Sequence, residues 1–145
     1  RTAYSPLPSG SRRQLTMSNT AFRSMMLEEA YLARFKAVPA LPEDATEIIA
    51  DRRYITEGAT WARALGRFAD CLIFRNAAGA DALLRTMPGS DEEKQAARAM
   101  APALGACLMR GQTLSLNTAN VRAFAADGLW TRFVRGTGPA PAQSN

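Results

Sequence analysis

The apolar residues of this chain recur at the three- and four-residue spacing of helices that bury one face. From Trp61 to Leu72 the apolar positions advance by four, three and four residues, which forms one stripe at helical period. No segment alternates apolar and polar residues long enough for a sheet. The pattern therefore predicts an all-α fold, a single compact bundle of about five helices.

Caps, prolines and glycines divide this pattern into elements. Ser90 to Glu93 forms a capping box that opens one helix, and Pro102 predicts a kink or a break near residue 101. Asn76, followed by Gly79, predicts that one helix ends near this point and that another begins at Gly79. The predicted helices cover five stretches: about 18–36, 57–74, 79–86, 90–110 and 117–134.

The chain has one domain's worth of residues, flanked by two segments that lack an apolar period. Residues 1–15 are rich in proline and predict an extended arm, and residues 16–135 form the helical domain. The tail, residues 136–145, has little apolar content, which predicts a flexible or partner-bound segment.

Two of the predicted helices resemble each other. Residues 19–35 and 117–133 both begin with Asn-Thr-Ala and end with Arg-Phe. A duplicated helical unit would explain this similarity, and chance likeness between Ala- and Arg-rich helices is the alternative.

Charge is unevenly distributed along the chain, whose formal net charge is +5. Residues 1–23 contain four Arg and no acid, and the residues from Arg98 onward contain five Arg and one Asp, so the middle is acidic. Two basic ends indicate docking onto an acidic surface or anionic head groups. A general preference for Arg, which accounts for sixteen of the eighteen basic residues, is the alternative explanation.

The residue types argue against most catalytic chemistry. The chain has no histidine, so the usual base beside a nucleophile and the commonest metal ligand are both missing. No Gly-rich loop leads to a phosphate-binding Lys, and no basic run alternates with aromatics as nucleic-acid binding requires. We therefore expect a protein that is not an enzyme, holds no cofactor or metal, and binds no nucleic acid.

The two cysteines, Cys71 and Cys107, lack the Cys-x-x-Cys spacing of a redox-active centre. They would be core thiols in a reducing compartment and would pair in an exported protein. The chain begins with Arg1 rather than Met, which indicates a cleaved leader, although a shortened chain would look the same. We predict a Cys71–Cys107 disulfide and a periplasmic or otherwise exported location.

The stretch ADCLIFRNAAGADALLRTMPGSDEE, followed by LGACL and an Arg-rich last helix, resembles a group of small exported bacterial helical proteins of unassigned function. The resemblance covers roughly residues 57–134, including the Cys pair. It implies a helical fold and export.

Two non-enzymatic functions fit these observations. The first is an exported accessory or structural subunit that docks onto a larger assembly of other protein subunits, either free or membrane-bound, through its arms and helical faces. The alternative is a carrier of a small molecule or lipid, with an apolar pocket between helices. For the first function the candidate partner-docking residues lie at the two ends of the chain: Tyr4, Leu7, Arg12, Arg13, Arg132 and Arg135.

Overall fold

The computed structural model describes residues 16–52 and 59–137. Within these ranges the chain forms five α-helices and no strand, which confirms the predicted all-α architecture. The helices, in chain order, are α1 (Asn19–Arg34), α2 (Ala59–Leu84), α3 (Asp91–Ala99), α4 (Ala101–Cys107) and α5 (Thr118–Leu129). A π-helical turn (Trp130–Val134) and a short 3-10 turn (Arg135–Thr137) continue α5.

The core lies mainly between α2 and α5, which pack along each other at the centre of the bundle. α1 packs against α5 and the π-helical turn, while α3 and α4 pack against α2. The core is filled by apolar side chains that are almost fully buried: Tyr31, Phe68, Leu72, Ile73, Leu83, Leu84, Met100, Val121 and Leu129.

Three helices begin after a residue whose side chain caps the first exposed amides, and one of these caps is the predicted Ser90. Ser18 accepts a hydrogen bond from the Ala21 N–H at 3.1 Å, and Ser90 accepts one from the Glu93 N–H at 3.1 Å. Glu93 in turn accepts from the Gly89 N–H at 2.8 Å, which completes a capping box one residue earlier than its usual form. Asn117 caps α5.

The predicted stop and restart at Asn76 is present as a sharp kink between two helical segments. α2 continues to Leu84, and Asn76 is its one residue with non-helical backbone angles (φ −155°, ψ 66°). The Asn76 side-chain oxygen accepts a hydrogen bond from the Gly79 N–H at 2.8 Å. Asn76 therefore interrupts the helix and caps its second segment, as the sequence predicts, and no loop separates the two segments.

The break predicted near residue 101 is confirmed. Met100 ends α3 and also precedes α4, and Pro102 lies in the first turn of α4. Because proline lacks an N–H, it fits the first turn of a new helix and interrupts a continuous one.

A buried polar cluster fixes the end of α1 to α2. The Tyr31 hydroxyl donates to Asp81 at 2.7 Å, and Arg85 donates to the same carboxylate at 2.9 Å. Arg85 also donates to the Phe35 carbonyl at 2.8 Å, just beyond the end of α1. Burial and the Asp81 hydrogen bond raise the pKa of Tyr31, so this phenol stays protonated and keeps donating.

Candidate functional site

A cleft of about 840 Å³ opens between the beginnings of α1, α3 and α5. Its walls carry small residues from α1 and α5, such as Ala21, Ser24 and Ala119, together with the larger Met25. Glu28, Glu93 and Arg122 line its inner part. The walls of the cleft thus consist mainly of small side chains from two helices, and its floor is charged.

Arg122 forms that floor by an ion-pair triad with two glutamates. Its Nε and Nη2 donate to the Glu28 carboxylate at 3.0 and 2.5 Å, and its Nη1 donates to Glu93 at 3.0 Å. All three side chains are largely buried. Burial alone would lower the pKa of Arg122, but the hydrogen bonds and charges of Glu28 and Glu93 outweigh it, so the pKa is raised.

The same guanidinium caps the C-terminal end of α2 by donating to its free carbonyls. It donates to the carbonyls of Leu84 and Thr86, each at 3.0 Å, and to the carbonyl of Leu83 at 3.3 Å. Helix ends leave these carbonyls without intrahelical partners, and a buried cation there is favourable to the helix dipole. Since every nitrogen of Arg122 already donates, the guanidinium has no N–H left for a phosphate or a carboxylate ligand.

The outward side of α1 beside the cleft is apolar. Phe22, Met25 and Met26 are 58%, 52% and 54% exposed. α1 buries only Leu27 and Tyr31 completely. The apolar face of α1 is therefore wider than the surface that the rest of the described bundle covers. We call Phe22, Met25 and Met26 the α1 patch.

Acidic side chains lie beside the α1 patch and in the cleft. Glu29 lines the cleft beside the α1 patch and is exposed. Asp91, Glu92 and Glu93 occupy the first turn of α3. Lys94 pairs with Asp91 at 3.0 Å, and Arg122 pairs with Glu93 at 3.0 Å. This region is therefore acidic on a chain whose net charge is +5.

The predicted Cys71–Cys107 pair is bonded. The sulfur atoms are 2.04 Å apart, and the bond joins α2 to the end of α4. It closes a sequence separation of 36 residues, for which the chain-entropy model gives about 4 kcal/mol of stabilisation.

The predicted docking residues fall into two groups. Tyr4, Leu7, Arg12 and Arg13 lie outside the described residues. The other two, Arg132 and Arg135, donate to main-chain carbonyls of residues 46–52: Arg132 to Thr46 and Arg135 to Asp51, both at 2.8 Å.

These contacts hold an irregular segment of the same chain, and a docking role for the six residues stays a prediction. Arg132 is half-buried, and burial lowers its pKa.

Sequence reasoning missed Arg122, although a signal for it exists. Arg122 precedes the buried Ala125 and Ala126 by three and four residues, so helical period places it on the inward side of α5. An Arg at a core position requires buried acceptors, and these come from distant parts of the chain.

No protein-family model matches this sequence, and comparison with curated proteins and with solved structures finds no match either. Among the described helices, none is both long and apolar enough to cross a membrane. In residues 16–52 and 59–137 no group of three or more metal-ligating side chains is arranged to hold a metal ion.

Proposed function

We propose that this protein is a non-catalytic, exported accessory subunit that binds another protein through the α1 patch and the adjoining cleft. One observation carries the proposal: three large apolar side chains, each more than half exposed, lie together on one side of one helix. Contiguous apolar surface of this kind, rimmed by polar groups, is typical of protein-binding sites.

The charges around the α1 patch favour a partner segment of defined chemistry. Glu29 follows Met25 by four residues on α1, so it lies beside the α1 patch. Glu28 and Glu93 line the adjoining cleft. A helix of the partner with apolar anchors and flanking Lys or Arg would match both features. We therefore commit to an amphipathic, basic helix as the occupant.

The disulfide supports export, because structural disulfides persist mainly in oxidising compartments. The absence of histidine from the sequence and the saturated guanidinium of Arg122 support a role without catalysis.

The carrier alternative has less support. The volume of the cleft lies within the range of ligand pockets, but its floor is an Arg122–Glu28–Glu93 triad rather than apolar side chains. A lipid chain placed there would cover charged groups without pairing them.

The test compares complexes formed in the producing cell by the full chain and by a Phe22→Ser/Met26→Ser variant. We expect the wild type to migrate on native gels well above its own 15.7 kDa and the variant to migrate as the free chain. Cross-linking from position 25 should reach a basic helical segment of the partner.

The matched control is Met87→Ser/Met109→Ser, which removes two exposed apolar side chains elsewhere on the surface. It should leave the complex intact. Loss of the complex in both variants, or in neither, would contradict the proposal. Self-association of the purified chain through position 25 would instead identify a second copy as the occupant.

A further inference from the structure

A second, smaller hollow of about 230 Å³ lies directly against the disulfide. Cys71 and Cys107 both line it, and they retain 4% and 7% exposure. Ile48 and Met109, both exposed, stand at its sides. The disulfide thus lies at the edge of the core, where one side of it faces this hollow.

The hollow is also lined by a cation on the same helix as Cys71. Arg67 lines the same hollow and precedes Cys71 by four residues on α2, so both lie on one side of that helix. In the described ranges no carboxylate forms a salt bridge with Arg67. Glu47, the acid of the hollow, lies 3.9 Å from Arg75 instead. A neighbouring guanidinium favours the thiolate form of a cysteine.

The cover of the hollow is an irregular segment, residues 46–52, which we call the strap. Polar contacts hold it: Asp70 accepts from the Ile49 N–H at 3.1 Å, and Arg132 donates to the Thr46 carbonyl. Arg52, at the far end of the strap, pairs with Asp70 and Asp127. Ile48, the apolar residue of the strap at the hollow, is 44% exposed, so it covers the hollow without being enclosed by the bundle. Segments with few buried apolar contacts open more readily than helices do.

We propose that the Cys71–Cys107 disulfide is a reaction site for an external dithiol, with Arg67 as the residue that promotes its opening and Ile48 as its cover. The chain is the substrate in this reaction and not an oxidoreductase, which agrees with its lack of a Cys-x-x-Cys motif.

The reaction has two steps. A thiolate of the reductant attacks the sulfur of Cys107, the more exposed of the two; the new S–S bond forms as the old one breaks, and Cys71 leaves as a thiolate beside Arg67. The second thiol of the reductant then attacks the mixed disulfide and releases Cys107. Two electrons pass from the dithiol to the protein, the dithiol becomes a disulfide, and its two protons end on the cysteines.

Reduction would remove the covalent bond that joins α4 to α2. α4 has only seven residues, and Cys107 is its last. Helices this short are marginal without tertiary support, so loss of the bond should loosen α4 and the connector that follows it.

The experiment measures the rate of disulfide reduction by dithiothreitol in the folded chain at low ionic strength, with free thiols counted by alkylation and mass spectrometry. We expect Arg67→Gln to slow reduction about threefold, because a change of about one unit in the leaving-group pKa is transmitted to the rate with a coefficient near one half. Ile48→Ala should accelerate reduction by removing cover.

Arg63→Gln is the matched control, since it removes the same charge from an exposed position one turn earlier on α2. Its rate should equal that of the wild type. Equal rates for Arg67→Gln and Arg63→Gln, or no acceleration in Ile48→Ala, would overturn the proposal. So would a rate that rises with urea as steeply as global unfolding does, because the sulfur would then react only in the unfolded chain.

Discussion

Arg122 joins three parts of the chain that are distant in sequence. Its guanidinium pairs with Glu28 on α1 and Glu93 on α3, and it also binds the carbonyls at the end of α2. The geometry of the cleft therefore depends on one side chain. Removing one member of a buried ion-pair network leaves the other charges without compensation, which costs more than an exposed pair does.

We predict that Arg122→Met lowers the free energy of unfolding by about 3–5 kcal/mol. The buried carboxylates of Glu28 and Glu93 would then lose their shared cation. Urea unfolding followed by circular dichroism measures the loss.

Arg23→Met serves as the comparison, because Arg23 also pairs across helices, with Asp127 at 3.1 Å, but its side chain is 61% exposed. Its removal should cost no more than about 1 kcal/mol. Similar losses in the two variants would show that Arg122 does not have the role assigned to it.

At the scale of elements, the close approach of α2 and α5 depends on Gly128. A Cβ at this position would lie 2.4 Å from a side-chain carbon of Ile73 and 2.7 Å from the Ala69 carbonyl oxygen. The second contact is with backbone, which a rotamer change cannot relieve. The glycine thus allows the two central helices to pack at their observed separation.

We predict opposite effects for two Gly→Ala substitutions within helices. Gly128→Ala should destabilise the fold by about 1–3 kcal/mol, because α2 and α5 must move apart. Gly105→Ala, in α4, meets no atom within 4 Å and should stabilise by up to about 1 kcal/mol through helix propensity. Thermal and urea unfolding of both variants measure the signs, and equal signs would contradict this account.

At the scale of the whole molecule, buried charge attaches an irregular segment to the helical bundle. Asp70 on α2 accepts from the Ile49 N–H and, at 2.6 Å, from Arg52, which also pairs with Asp127 on α5. Arg132 contributes a further positive charge. Burial raises the pKa of Asp70 above its ordinary 3.8, although the charge of Arg52 and the Ile49 N–H oppose the rise.

This raised pKa predicts the sign of a pH dependence. Between 3.8 and its native pKa, Asp70 binds a proton more strongly in the folded chain than in the unfolded chain. The Asp70 contribution to the free energy of unfolding therefore falls as pH rises through that window, and it is constant on either side. Asp70→Asn, which does not titrate, lacks this contribution.

Urea unfolding of the wild type and Asp70→Asn from about pH 3 to about pH 7 tests the sign. We expect the difference in stability, wild type minus variant, to decrease as pH rises through the window. An increase would mean that the pairing with Arg52 outweighs burial and lowers the pKa of Asp70.

Local signals in the sequence account for most of the helix boundaries. Ser18, Ser90 and Asn117 cap helices because a short polar side chain can accept from an N–H three residues ahead. The similarity between residues 19–35 and 117–133 illustrates the limit of such reasoning. Asn19 is already the first helical residue of α1, whereas Asn117 is the cap of α5. The register differs because Ser18 is available to cap α1.

The candidate site was only partly predictable. Apolar period marked α1 as amphipathic, but it could not show that Phe22 and Met26 would stay exposed while Tyr31 is buried. The width of an apolar stripe is a property of one helix, whereas its coverage depends on which neighbours reach it. The stripe that includes Trp61 shows the same effect, since Phe68 and Leu72 are buried and Trp61 is exposed.

The sequence by itself determined the helical class, the caps and the break before Pro102, because each depends on contacts within a few residues. The bonded pair Cys71–Cys107 was also predictable, since there are only two cysteines to join. Only the tertiary structure decided the partners of Arg122, which lie 94 and 29 residues away. A buried charge is satisfied by whatever acceptors the packing of helices brings within about 3 Å, and local sequence does not encode that arrangement.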